Sequence, residues 1–264
     1  MARPKKHLIL FIVEGPSDKA ALERPIQALL DGNALGLTAE FLFLETDVTS
    51  DSRNNPNNIV GNINKFYIMD YFKGNPYYYP KDVYAVVQIC DLDGTFIPEE
   101  NCRQFTELIY EEKGFYYDPP LIYGSTEEAV IDRNQRKAAN IRHLLEQGTI
   151  KVKTKSVPYS LYFFSSNIDH FLHGELNMPM REKISRAEGF ADRFTEDPVS
   201  FVDFMHHHPC AINGKTHAES WAFIMEGCNS LDCHTNFNLF LDSLYTQIKE
   251  AEAQENQGDP DPEV

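Results

Sequence analysis

Residues Val86–Pro98 read VVQICDLDGTFIP, and this stretch decides the fold. From Val83 to Cys90 the chain is mostly apolar and β-branched, with the length of a buried strand in a parallel sheet. Asp91-Leu92-Asp93 stands at its carboxyl end, where open α/β sheets place their ligands. Side chains two apart on an extended strand share a face, so both carboxylates are expected to point into one crevice. Carboxylates that close repel each other unless a cation lies between them, and Mg²⁺ takes oxygen ligands. The plainer reading is an Asp-Gly turn closing a strand. A turn needs only one aspartate, however, and the apolar run demands burial.

Upstream, Leu8–Val13 is a first apolar run, followed by the turn Glu14-Gly15-Pro16-Ser17-Asp18. A helix follows over Lys19–Leu30, capped by Ser17 or Asp18, in which Pro25 predicts a kink or a new helix start. Thr38–Glu45 reads as strand two, Thr46–Asn58 as a polar loop, Ile59–Phe72 as helix and Lys73–Asp82 as a long connection. Downstream, Glu99–Lys113 reads as helix, and Arg133–Glu146 as an amphipathic helix with Ala138, Ile141, Leu144 and Leu145 near one side. Tyr159–Phe164 is strand four, running into Ser165-Ser166-Asn167-Ile168-Asp169-His170. Glu182–Phe194, Pro198–His206, Lys215–Glu226 and Phe237–Lys249 read as further helices. Strands alternating with helices describe an α/β fold with a parallel sheet and helices on both faces. The expected organisation is an α/β core over 1–174, a helical extension packed on it over 175–249, and a disordered acidic tail over 250–264.

The chain has 264 residues, 42% hydrophobic and 12% aromatic, which is globular composition. No run of about 18 apolar residues occurs, so no membrane span is expected. The basic start MARPKKHLILFIVEG is read as a leader into a core strand, not as a signal peptide, because no small-residue cleavage site follows. Five cysteines (Cys90, Cys102, Cys210, Cys228, Cys233) without a CxxC pair predict reduced thiols and a cytoplasmic protein. The net charge of −16 argues against a general basic nucleic-acid binder. Its distribution is uneven: Ile131–Lys155 carries seven bases (Arg133, Arg136, Lys137, Arg142, Lys151, Lys153, Lys155) against Asp132 and Glu146. Those bases could grip phosphates, or simply form a solvated helix face.

Glu14 after strand one, Asp91 and Asp93 after strand three, and Asn167 and Asp169 after strand four should converge on one sheet edge. Such a set is a hard-oxygen metal site, suited to activating water or stabilising a phosphodiester during in-line displacement.

This arrangement resembles the Toprim domain of topoisomerases, primases and OLD-family nucleases, where a strand-end glutamate faces a DxD pair. The matching pieces are FIVEGPSDKAAL, VQICDLDG and SSNIDHFLHG, within Leu8–Gly174. The resemblance implies a Mg²⁺- or Mn²⁺-dependent nuclease. Glu14 would be the acid–base or metal-binding glutamate, Asp91 and Asp93 metal ligands, and Asn167 and Asp169 ligands of a second metal or its water. Gly61 could match the glycine that follows strand two, and Lys215, in NGKTHAESWAFI, is placed like the basic residue that follows the core in OLD-type proteins. Thr95 stands where DxDxE versions carry a third acid, and Asp169 where glutamate is usual. No GxxxxGK[ST] motif occurs, so an ATPase partner would be a separate chain. Small proteins of this look suggest a role in phage defence.

DLDGT also resembles the first motif of haloacid-dehalogenase-type phosphatases, which would make Asp91 the nucleophile and Asp93 the acid–base. Ser165 or Ser166 would be that family's second motif and Lys215 its third, with Asp232 a poor match for its magnesium acid. A third expectation is a Toprim-like binding or sensing subunit without turnover. Among weaker features, His206-His207-His208 reads as a polar helix end, His170 and His173 as half-buried helix residues, and Tyr77-Tyr78-Tyr79 as a base-stacking platform or surface packing.

Overall fold

The computed structural model describes residues 7–31, 39–106 and 114–244. The basic leader, the acidic tail and the second half of the helix expected over Glu99–Lys113 lie outside the described residues. In chain order, β1 (His7–Val13) leads into α1 (Pro16–Asp31) and β2 (Ala39–Glu45). Next, α2 (Ile59–Asn62), a π-helical stretch (Ile63–Ile68) and α3 (Met69–Gly74) follow one another into the connection before β3 (Val83–Asp91). Three short strands, β4 (Cys102–Gln104), β5 (Tyr116–Asp118) and β6 (Leu121–Gly124), precede α4 (Glu127–Leu145). Then come β7 (Thr149–Val152), β8 (Lys155–Phe164), α5 (Ile168–His173), α6 (Met180–Asp192), α7 (Pro198–His207) and α8 (His217–Ile224). Residues 237–244 are helical.

The main sheet has the order β2-β1-β3-β8-β7. Its first four strands are parallel, as their apolar, β-branched sequences predict, and β7 adds an antiparallel edge. Side-chain alternation splits the core in two. Leu8, Leu10, Ile12, Val86, Cys90, Leu161 and Phe163 pack against Ile59, Ile63, Ile141, Leu144 and Trp221. On the other face, Phe11, Val13, Val87, Ile89 and Phe164 pack against Leu22, Ile26, Phe171, Phe190 and Phe237. Helices therefore cover both faces, and segments after residue 175 contribute to both cores. The chain moves from β1 outward to β2, then returns to β3 on the opposite side of β1. The carboxyl ends of β1 and β3 thus flank a reversal of strand order, the place where open α/β sheets form their crevice.

Three local expectations change. α1 runs through Pro25 as one helix, so no second helix starts there. Glu99–Asn101 is a single 3-10 turn and Cys102–Gln104 a strand, where a helix was expected. Parallel pairing of Cys102 with Ile122 overrides the local helical composition there. Cys210 and Cys233 are joined in a disulfide, against the expectation of reduced thiols throughout. The Ala211–Thr235 bridge brings their Cα atoms to 5.3 Å, within disulfide span.

Candidate active site at the strand ends

The turn after β3 sends its two aspartates in different directions. The strand ends at Asp91, and Asp93 and Gly94 both take left-handed backbone, φ 50° and 68°. Period-two alternation stops there, so the two carboxylates take different partners, although the Asp93 charge still acts on Asp91. A side chain at Gly94 would place its Cβ 2.5 Å from Ile122 Cδ1, so glycine is required on two counts. Backbone bonds pin the turn: Leu92 N–H donates to Phe164 O, Asp93 N–H to Ser166 O and Gly94 N–H to Ser230 O. The Thr95 hydroxyl donates to Leu92 O, so this residue closes the turn from a buried position. Asp91 Oδ1 accepts the Ile168 N–H at 3.1 Å, on the α5 side. Asp93 faces α4 and the small sheet, accepting from Lys137 Nζ at 2.8 Å and from the Tyr117 hydroxyl at 3.2 Å.

Glu14 follows β1 with the parity of Leu10 and Ile12, towards α4. Its Oε1 accepts from Thr49 Oγ1 at 3.0 Å and lies 3.3 Å from Lys137 Nζ. One fully buried ammonium therefore bridges Glu14 and Asp93. α4 carries it because Thr126 caps the helix through the Ala129 N–H and Glu127 and Glu128 favour its amino end. One stripe of that helix then enters the site: Arg133, Lys137 and Asn140, all buried. Arg133 lies 3.8 Å from Asp93 Oδ2 with its guanidinium 4.4 Å from the Phe115 ring centroid. Asn140 Nδ2 donates to the carbonyls of Thr49 and Asn54, which fixes the loop bearing Thr49. Tyr67 and Asp51 continue that network, since Asn54 Nδ2 donates to the Tyr67 hydroxyl and Tyr67 donates to Asp51.

The charges are unevenly balanced. Burial pushes the Glu14 carboxyl well above the ordinary range; Lys137 pulls it back, and Asp47, Asp93 and Asp18 push it further. Asp91 is also raised well above its usual value, by burial and then by the charges of Asp18, Glu14 and Asp93. Burial pushes Asp18 up to about 6, although it accepts the Gly15 N–H. Asp93 goes the other way: burial opposes its charge, but Lys137 and Arg133 outweigh that and hold it low. Lys137 is raised well above its ordinary value despite burial, by Asp93, Glu14 and Asp47.

Of the remaining expected residues, Asp169 lies on the Asp91 and Asp18 side and the others are engaged in local structure. Asp169 is buried, and Lys183 Nζ of α6 lies 2.6 Å from its Oδ2. Asn167 is the N-cap of α5: its Oδ1 accepts the His170 N–H and its Nδ2 donates to Leu176 O. Lys215 precedes the Thr216–Glu219 capping box of α8, exposed, with its ammonium 5.5 Å from the Phe223 ring centroid. Ser165 Oγ donates to Asp232 O and accepts the His234 N–H, while Ser166 Oγ meets His170 Nδ1 at 2.6 Å. The expected phosphatase motifs are thus engaged in separate local structure. The seven bases do not form one surface. Arg133 and Lys137 are buried at the site, and Arg136 is partly buried on the same helix. Arg142 lies over Phe96 further along that helix. Lys151, Lys153 and Lys155 lie at the amino end of β8, about 30 Å along the strand from its site end at ~3.3 Å per residue.

The sequence places Lys137 on a phosphate-binding surface, gives Asp18 only as a helix cap, and does not single out Thr49, Asn140 or Lys183. A signal was available for Lys137. It shares a helical face with Val130, Ile141 and Leu144, where a polar residue is an exception. Among the described residues, no three His, Cys, Asp or Glu side chains are grouped closely enough to share one metal ion. Comparison with family models, curated proteins and solved structures finds no match for the chain.

Proposed function

We propose that this chain is a divalent-cation-dependent phosphodiesterase of Toprim type, acting on nucleic acid, with Mg²⁺ or Mn²⁺ as cofactor. One observation carries the reading. Glu14 follows β1 and Asp91 ends the adjacent parallel strand β3 at the reversal of strand order, where both are buried among further acids, Asp18 and Asp93 acting on each of them. The donor set fits such an ion. Glu14, Asp18, Asp47, Asp91, Asp93 and Asp169 surround Lys137, Arg133 and Lys183, so acids outnumber bases at the site. Asp93 and Asp169 meet ammonium groups at 2.8 and 2.6 Å, Glu14 shares Lys137 at 3.3 Å, and Asp91 has no ion pair among the described residues, so Asp91 and Glu14 are the residues best placed to hold the cation. Mg²⁺ commonly binds through one or two carboxylates and keeps its remaining places for water and substrate phosphate, so a set of three protein ligands is not needed.

When bound, the ion would polarise a phosphoryl oxygen and offset charge developing in the displacement. Glu14, held by Thr49 and raised by burial, would take or return the proton of the attacking or leaving oxygen. Lys137 would keep Asp93 ionised and the turn fixed. No GxxxxGK[ST] motif occurs, so an ATPase partner would be a separate chain, and the resemblance to small Toprim proteins is what suggests a role in phage defence.

The test compares wild type, Glu14→Gln and Asp91→Asn on supercoiled plasmid, structured RNA and a phosphomonoester, with and without Mg²⁺ or Mn²⁺. Cation-dependent cleavage of nucleic acid, abolished by Glu14→Gln, is the expected result. Phosphomonoester turnover that survives Glu14→Gln but not Asp91→Asn would replace this reading with the phosphatase. Cation binding without turnover on any substrate would leave a sensing subunit.

A further inference from the structure

Lys183 belongs to α6, within the helical part that follows the strand-end motifs, yet its ammonium enters the site. It stands on the inward stripe of α6 with Ala187 and Phe190, both buried. α6 is fastened to α1, since Arg24 NH1 meets Asp192 Oδ1 at 2.5 Å and Arg24 NH2 donates to Glu188 O at 3.2 Å. The lysine is thus delivered by a packed helix and not by a wandering surface chain. Its side chain is 23% exposed and that of its partner, Asp169, 2%. Its ammonium also feels Asp91 and Asp18, the two carboxylates that share this side of the site.

The other donors on this side are already committed. Both side-chain atoms of Asn167 are hydrogen-bonded, one inside the α5 cap and one to Leu176 O. The Ser166 hydroxyl is held by His170. Asp169 Oδ1 is buried without a hydrogen-bond partner, and its Oδ2 meets Lys183. The ammonium therefore already neutralises the buried Asp169 carboxylate at the place a small cation would have to share.

We infer that Lys183 is a resident counter-ion that takes the place of a second divalent cation, so that the protein binds one such ion and not two. The inference rests on the cation-dependent reading above and deepens it. Removing Lys183 would expose two carboxylate oxygens of Asp169 in a buried, negatively charged setting, which is a hard-oxygen cation site.

The experiment is Mn²⁺ binding to the full-length chain, followed by calorimetry and by electron paramagnetic resonance of free Mn²⁺. Wild type should bind one ion, and Lys183→Ala two. Lys183→Arg keeps the charge and should stay at one. Adding Asp169→Asn to Lys183→Ala should return the count to one. Unfolding curves show which variants are folded, and the wild-type count stands whatever the variants do. Two ions in wild type would overturn the inference alone, as would one ion in folded Lys183→Ala. No ion in wild type would overturn both the inference and the cation-dependent reading.

Discussion

Lys137 Nζ lies 2.8 Å from Asp93 Oδ2, and the same ammonium, fully buried, reaches Glu14 at 3.3 Å. A salt bridge of this kind joins β1 to the turn after β3 through α4. Paired buried charges contribute little net stability, but breaking the pair leaves uncompensated charge. Lys137→Met should therefore lower stability by about 3–5 kcal/mol at neutral pH. Lys137→Arg should not restore it fully, because the larger planar guanidinium does not fit the space of a compact, fully buried ammonium. Denaturant unfolding measures both; a change below about 1 kcal/mol for Lys137→Met would mean that the site takes up water or protons to compensate.

Asn140 tests how Glu14 is held. Asn140→Leu removes the donor to the carbonyls of Thr49 and Asn54 and leaves both unpaired in the core. It should cost about 1–3 kcal/mol. Thr49→Val should leave most of the stability in place and reduce turnover, with Thr49→Ser recovering it through the retained hydroxyl. Equal loss of turnover in Thr49→Val and Thr49→Ser would mean that the hydrogen bond to Glu14 does not matter.

The dependence on pH has a definite sign. Burial moves the Asp18 carboxyl from 3.8 up to about 6 in the folded protein. Over that interval the folded state keeps a proton that the unfolded state has lost. Its contribution is full below about pH 4 and is lost as pH rises through about 6. Without divalent cation, the unfolding temperature should fall between pH 5 and pH 7, and Asp18→Asn should flatten that fall. Added Mg²⁺ should raise the unfolding temperature more at pH 7 than at pH 5. An Asp18→Asn slope equal to that of wild type would assign the effect elsewhere.

The Cys210–Cys233 bridge closes a loop of 23 residues that contains α8. A cross-link over that length restricts the unfolded chain by about 3 kcal/mol. Reduction, or Cys233→Ser, should lower the unfolding temperature measurably, and mass spectrometry of the alkylated protein should find the pair unmodified before reduction. Full alkylation of both cysteines without reductant would contradict the bridge.

Much of the sheet was legible because its parallel strands are buried on both faces. Leu8–Val13, Val83–Cys90 and Tyr159–Phe164 are continuous apolar runs, and such runs need no long-range information to be read. The small sheet was not legible. Cys102–Gln104 has no strand pattern of its own and is extended only because Ile122–Gly124 pairs with it. At the site, Glu14, Asp91 and Asp93 stood out because acids directly follow apolar strands. The divergence of Asp91 and Asp93 did not, since it depends on the left-handed backbone at Asp93. Lys137 and Lys183 were obscured for another reason. Lysine is nearly always a surface residue, and only the folded arrangement shows two ammonium groups turned inward onto carboxylates.

The central claim is that Glu14 and Asp91 hold a divalent cation. The most direct measurement is anomalous diffraction from crystals of the full chain soaked in Mn²⁺. A single strong peak beside the Glu14 and Asp91 carboxylates, with Lys183 still on Asp169, is the predicted result. No peak there at saturating Mn²⁺, with Lys137 still bridging Glu14 and Asp93, would contradict the account.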